Sequence, residues 1–270
     1  MKIVFLLIVL AASLVVVLRY IESRSIFFPM KGTPTTPKDI GLTYEDVTFQ
    51  SDGYKLHAWF VPRDHAKGTV LFFHGNAGNI GHRLDKLHIL NELGLEALII
   101  DYRGYGQSEG RPSEKGLTHD AEAAYAYLTK TKGVSADRII LYGESLGGAV
   151  AVDLAGRKPV AALITEGAFT SVPAMVRASL PFVPTFALAL RFDSLSKIGR
   201  VSARKLFIHS VDDEIVPYSM GEALYGRAKD PKEFLRLRGG HNTGFFDSAE
   251  IYTEGLHRFT ESLNTQRGGQ

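Results

Sequence analysis

The sequence predicts an α/β domain built on a mostly parallel, eight-stranded sheet with helices on both faces. Three observations predict it. Short apolar runs recur at 44–49, 56–61, 69–73, 97–102, 138–142, 160–165, 204–209 and 233–238, the length and composition of strands. Helical patterns alternate with them at about 81–93, 116–131, 147–156, 217–228 and 246–263, and such alternation implies right-handed crossovers between parallel neighbours. The third to seventh runs are continuous or nearly continuous in apolar residues, as strands covered on both faces require.

Composition agrees with a globular chain. At 270 residues, 45% hydrophobic and 22% charged, there is enough material for one large core. A formal net charge of +2, with the basic residues scattered, gives no reason to expect nucleic acid as a partner. Cysteine is absent, which excludes disulfides and thiolate metal sites but leaves the redox compartment open. No H-E-x-x-H and no histidine–carboxylate cluster suggests a catalytic metal, and no cofactor is expected.

The elements follow in order. Residues 1–24 hold an apolar helix: Ile3 to Leu18 is free of charge, only Ser13 is polar, and Lys2 and Arg19 bracket the run. As a helix this stretch spans about 24 Å against a hydrocarbon core of ~30 Å. A single-pass membrane anchor is expected. The competing reading is a cleaved signal peptide, but Ala11-Ala12-Ser13 falls inside the run and Arg19-Tyr20-Ile21-Glu22 offers no cleavage site. Arg19, Arg24 and Lys31 after the span point to a cytoplasmic catalytic domain, whereas a signal-anchor history would place it outside. Residues 25–43 form a connector, stiffened by Thr33-Pro34-Thr35-Thr36-Pro37. Phe27 and Phe28 are expected to dock on the body or a membrane interface. Residues 44–263 are the catalytic domain, and 264–270 a loose tail. Its first two strands are joined by Ser51-Asp52-Gly53, a hairpin turn, so the sheet starts with an antiparallel edge.

The most informative stretch is Gly143-Glu144-Ser145-Leu146-Gly147, a G-x-S-x-G. The run Arg138 to Tyr142 leads into it, and Gly147 to Val152 suits a helix. Strand, sharp turn and helix make it a nucleophile elbow, with Ser145 as candidate nucleophile. An ordinary glycine-rich turn is the alternative. A serine hydroxyl needs a base, and the base needs a third group to hold it. After such elbows the acid comes first and the histidine second. Strand 204–209 runs into Asp212, Asp213 and Glu214, three competing carboxylates at a strand's C-terminal end, where such folds place their sites. Glu214 is expected to face solvent. Strand 233–238 is followed by Gly239-Gly240-His241, a loop able to swing an imidazole toward the elbow. His241 is the candidate general base; His119 and His257 fall in helical segments. Negative charge on a reacting carbonyl oxygen calls for backbone N–H donors. One is expected from Leu146, the other from Asn76 in the His74-Gly75-Asn76-Ala77-Gly78-Asn79 loop after strand 69–73. His74 is read as shaping that loop through its backbone.

Three segments together resemble one family. Phe72-Phe73-His74-Gly75-Asn76-Ala77-Gly78-Asn79-Ile80-Gly81-His82-Arg83, Asp101-Tyr102-Arg103-Gly104-Tyr105-Gly106-Gln107-Ser108-Glu109-Gly110 and the elbow through Ala151 are similar to the membrane-anchored serine hydrolases of the bud-emergence (Bem) type. These stand close to the eukaryotic α/β-hydrolase-domain proteins. The resemblance runs from about Ile26 to the last helix and implies the α/β-hydrolase fold with a minimal lid. Related hydrolases carry D-x-x-V-P after the acid's strand, and Asp213 to Pro217 fits that form. The resemblance thus implies Ser145, Asp213 and His241 as the triad, with Asp212 as the runner-up acid. Ser210 departs from it, since many relatives have glycine there.

Between Glu166 and Arg204 lies an apolar segment interrupted by Pro173, Pro181 and Pro184, a broken helix where this fold carries its lid. It is either an acyl-chain pocket or membrane-facing lip, or a plain core helix packing on the sheet. The expected function is hydrolysis of a carboxylic ester or thioester through an acyl-serine, with lipid-like esters or acylated proteins as substrates. A serine peptidase of the same fold and a non-catalytic membrane scaffold are the alternatives.

Overall fold

A computed structural model describes residues 2–267. The chain opens with helix α1 (Lys2–Ile26), strand β1 (Phe28–Pro29), and the hairpin β2 (Glu45–Ser51) and β3 (Tyr54–Val61). Next come β4 (Thr69–Phe73), the two-residue β5 (Ala77–Gly78), α2 (Leu84–Glu92), β6 (Glu96–Ile100) and α3 (Glu114–Ala126). The central part holds β7 (Ile139–Glu144), α4 (Leu146–Ala155), β8 (Ala162–Glu166), α5 (Val172–Ser179) and α6 (Ser194–Ile198). The chain ends with β9 (Arg204–Ser210), α7 (Tyr218–Arg227), β10 (Lys232–Leu237), α8 (Gly244–Asp247) and α9 (Ala249–Arg267).

Eight strands form one sheet in the order β10-β9-β8-β7-β4-β6-β3-β2. Pairing is parallel from β10 to β6, and β3 runs antiparallel to both β6 and β2. The eight expected strands are these eight, each within two residues at either end. The hairpin turn has Asp52 at φ 48° and Gly53 at φ 81°, the left-handed pair that lets a two-residue turn follow the strands' twist.

Period two along each strand sends alternate residues to opposite faces. Leu71, Leu98, Leu141, Leu163 and Phe207 meet α3, α4, α6 and α7 on one side. Phe72, Ile99, Tyr142, Ile164 and Ile208 meet α2 and α9 on the other. The lid segment is broken as its prolines imply: α5, a single 3-10 turn at Thr185–Ala187, then α6.

Two sequence expectations need correction. Among the described residues, no helix is long and apolar enough to cross a membrane. The expected single-pass anchor, and the membrane partner it implied, therefore do not stand. The apolar run of 3–18 is short for a bilayer core, and the turns that would complete a span carry Arg19, Glu22 and Arg24. The last turns of α1 fold onto the body instead, where Glu22 is buried. The tail expected from 264 is helical as far as Arg267, and its residues 268–270 lie outside the described residues.

The connector docks. Phe27 is buried and packs edge-on against Phe192 at 6.2 Å between centroids, while Phe28 stays half exposed. β1 pairs in parallel with β5, inside the loop that follows β4. This pairing joins residue 28 to residue 77, and no periodicity in the sequence announces it.

Candidate functional site

The sheet brings the ends of β4, β7, β9 and β10 to one rim. Ser145 follows β7 at φ 52°, ψ −113°, a conformation that few side chains adopt. Its backbone N–H is held by the carbonyl of Glu166 at 2.8 Å. The turn closes only because Gly147 lacks a side chain: a Cβ there would collide with the Phe73 and His74 carbonyls. Leu146 is the first residue of α4, so its N–H has no partner within the helix.

Asp213 lies beyond β9, its carboxylate nearly sealed from solvent. One oxygen accepts the N–H groups of Ile215 (2.9 Å) and Val216 (2.7 Å). The other accepts Nδ1–H of His241 at 2.7 Å and lies 3.3 Å from Nε2 of His209. Burial pushes the Asp213 pKa up, but the hydrogen bonds from His209 and His241 and the imidazole charge outweigh it and hold the carboxyl well below the usual range. Asp212, the rival carboxylate, is half exposed and reaches only Arg238 and the N–H of Gly239, both at 3.3 Å. Glu214 is exposed as expected, yet its carboxylate accepts the backbone N–H of His241 at 2.9 Å. That contact holds the loop and was not legible in sequence.

His241 therefore has its ring fixed from one side. Burial lowers its pKa, while the hydrogen bond and charge of Asp213, with Glu144 and Glu166 behind them, raise it above the ordinary value. With Nδ1 donating to Asp213, Nε2 is the atom free to accept a proton. Gly167, at φ 55°, makes room for the ring: a Cβ there would stand 2.9 Å from its Cε1.

The loop after β4 is braced throughout. Nδ1 of His74 donates to the Gly75 carbonyl at 2.7 Å, and Tyr102 donates its hydroxyl to the His74 carbonyl at 2.9 Å. Full burial, with Arg83 nearby, lowers the His74 pKa to about 4, so the ring is neutral at physiological pH. The Asn76 carbonyl accepts the Tyr105 hydroxyl (2.7 Å) and the Phe28 N–H (3.0 Å), and its side-chain amide donates to the Ile26 carbonyl at 3.1 Å. Asn76 is thus tied to the N-terminal connector from both its backbone and its side chain.

A charged cluster that sequence reasoning missed lies beside the elbow. Glu144 pairs with Arg83 at 2.9 Å and Lys86 at 3.7 Å, and Lys86 also reaches Glu166 at 2.6 Å. Burial pushes the Glu144 pKa up, but the two cations outweigh it and lower it to about 2. Tyr142 and Tyr252 donate to Glu166. The signal was present in the motif itself, since a carboxylate at the second position of the elbow needs cations if buried.

Ser145, His241, Asn76 and Leu146 line one cavity of about 750 Å³. Most of its remaining wall is apolar: Ile21, Ile26 and Phe28 from the N-terminal segment, and Met175, Val176, Leu180, Val183 and Leu188 from the lid. Among the described residues no group of histidine and carboxylate side chains has a metal-holding arrangement.

The profile of the family described as serine aminopeptidase, S33, matches residues 64–199. The α/β hydrolase domain-containing protein WAV2 of Arabidopsis thaliana is 34% identical over 261 residues, covering 88% of this chain and 85% of that one. The protein bem46 of Schizosaccharomyces pombe is 34% identical over 211 residues, covering 73% and 70%. Among solved structures, the Pyrococcus furiosus esterase Pf2001 superposes with a TM-score of 0.73 at 19% identity, covering 88% of this chain and 98% of that one. At that identity the likeness speaks for the fold alone.

Proposed function

This chain belongs to the Bem46-like family of α/β-hydrolases, and from that premise we propose that it is a serine hydrolase cleaving carboxylic ester or thioester bonds through an acyl-Ser145 intermediate. The observation that carries the reading is the 2.7 Å contact between His241 Nδ1 and Asp213, on a histidine that shares one apolar cavity with Ser145.

In this reading Nε2 of His241 takes the Ser145 proton as Oγ bonds to the substrate carbonyl carbon. The Leu146 and Asn76 N–H groups receive the oxyanion. The carbonyl re-forms, the bond to the leaving oxygen or sulfur breaks, and the imidazolium returns its proton to that atom. Water, deprotonated by the same Nε2, then attacks the acyl-serine; collapse releases the acid and restores the serine. Asp213 keeps Nδ1–H aimed and supports the imidazolium.

The apolar wall favours a medium or long acyl chain, so lipid-like esters or acylated proteins are the substrates we infer. The family description raises aminopeptidase activity as a second reading. Such an enzyme must hold an α-ammonium group with a carboxylate. The carboxylates lining the cavity are already engaged: Glu144 by Arg83 and Lys86, Glu22 by backbone amides. That favours the ester reading.

Labelling with a fluorophosphonate probe tests the proposal. The parent should label and Ser145→Ala should not; in turnover, p-nitrophenyl decanoate should outrun the acetate. A parent that labels no better than Ser145→Ala would overturn the serine mechanism, and a clear acetate preference would overturn the acyl assignment.

A further inference from the structure

Glu22 is an anomaly in its surroundings. It is a carboxylate, only 8% exposed, near the end of an apolar helix and on the wall of an apolar cavity. Such a group persists only where donors surround it. Its partners lie 167 and 168 residues away in sequence: the N–H groups of Ala189 (2.8 and 3.0 Å to the two oxygens) and Leu190 (2.8 Å). Arg19, one turn earlier, donates to the second oxygen at 3.2 Å.

The segment so gripped is the roof of the cavity. The hydrogen bonds at its tip are local: Leu180 to Val176, Val183 to Leu180, Leu188 to Thr185. Phe182 and Phe186 are almost wholly exposed and pack on little. At its base, the next two amides, those of Arg191 and Phe192, are caught by Glu114 at 2.7 Å each. Four consecutive amides are therefore held by two carboxylates. Glu114 ties the roof to the catalytic body, and Glu22 ties it to α1.

We propose that Glu22 is a positioning residue that sets acyl-chain selectivity, by clamping the 180–190 segment against the last turns of α1 so that the two together close the distal part of the acyl pocket. This inference rests on the acyl-ester reading of the site. Hydrogen bonds donated by two amides to a carboxylate are charge-assisted and strong for their number. Their loss leaves the segment held by Glu114 at its base, by local hydrogen bonds and by the packing of Leu188 and Leu190 on the core. The reacting groups lie on the sheet rim and do not touch Glu22. A short acyl chain fills only the space beside Ser145, whereas a long one needs the roof in place.

The test compares Glu22→Ala and Glu22→Gln with the parent on p-nitrophenyl acetate and decanoate. In Glu22→Ala the KM for decanoate should rise about tenfold, with kcat little changed and acetate kcat/KM within about twofold of the parent. Glu22→Gln keeps one neutral acceptor and should fall between, and it stands in should the alanine variant fail to fold. A purely structural role would instead lower both substrates' kcat together. A decanoate-to-acetate ratio unchanged in folded, fluorophosphonate-reactive variants would overturn the assignment of Glu22 alone. A parent that turns over neither ester and does not label would instead bring down the hydrolase reading on which it rests.

Discussion

The floor of the cavity and its roof are made of different material. The floor hangs from strand ends: Asp213 accepts two backbone amides and a histidine Nδ1–H within 2.9 Å, and Ser145 is locked into the turn between β7 and α4. The roof is a proline-broken segment whose Phe182 is 97% exposed and whose longest-range ties are to the carboxylates of Glu22 and Glu114. Proton transfer needs atoms held to fractions of an ångström, which a hydrogen-bonded sheet rim supplies. Chain accommodation needs only apolar area and some give, which a loosely held segment supplies. If the proposed function holds, chemistry and selectivity are separable here, and each should break without the other.

The floor should break hardest at the acid. Asp213→Asn should lower kcat by about 10³-fold or more, since the amide no longer fixes the tautomer of His241 or supports its charge. Asp212→Asn, one residue away, removes a half-exposed pairing with Arg238 and should change kcat by no more than about threefold. Steady-state turnover of one ester by the two variants decides between the carboxylates. Equal losses, or the larger loss at Asp212, would show that the contact with His241 is not the functional one.

This choice marks the limit of what the sequence could tell. The eight strands were legible because burial dictates their apolar residues, on both faces for the inner strands and on one face for the edge strands β2 and β10, a demand each strand meets locally. Ser145 was legible because the turn it occupies needs glycine at 143 and 147, which leaves a pattern in neighbouring letters. Asp212 and Asp213 are adjacent and chemically alike, and only tertiary geometry separates a buried carboxylate from an exposed one. The grips of Glu22 on Leu190 and of Glu214 on His241 join residues distant in sequence through backbone atoms, so no side-chain pattern records both partners. The membrane reading of α1 failed for a related reason. It weighed the apolar letters of 3–18 and ignored where the polar turn after them would find its partners.

The pH profile sharpens the same contrast. The proposed base must be neutral to take the Ser145 proton, so activity falls as pH drops through the His241 pKa. That pKa is raised above its ordinary value, with the Asp213 contact outweighing burial. The acid limb of kcat/KM, which reports the free enzyme, should therefore have its midpoint above ~6.5. In the residual activity of Asp213→Asn the largest raising influence is gone while burial remains and only Glu144 and Glu166 oppose it, so the limb should move to lower pH. A limb that stays in place would mean that another group titrates. Glu22→Gln, acting on the roof, should leave the limb where it is in the parent.

The smallest effect belongs to the roof itself. Met175 faces the cavity from α5 and is only partly buried, so a larger side chain there intrudes on the acyl space without overpacking the main core. Met175→Trp should reduce the decanoate-to-acetate ratio by about tenfold, the scale on which apolar pockets discriminate by a few methylenes. Acetate turnover and the acid limb should be unchanged, because neither depends on the distal pocket. If acetate and decanoate lose activity together, the roof and floor are coupled, and the separation between them is weaker than their bonding suggests. If only the long chain suffers, the apolar wall contributed by α5 is where the acyl tail lies, and the roof tunes what the floor cleaves.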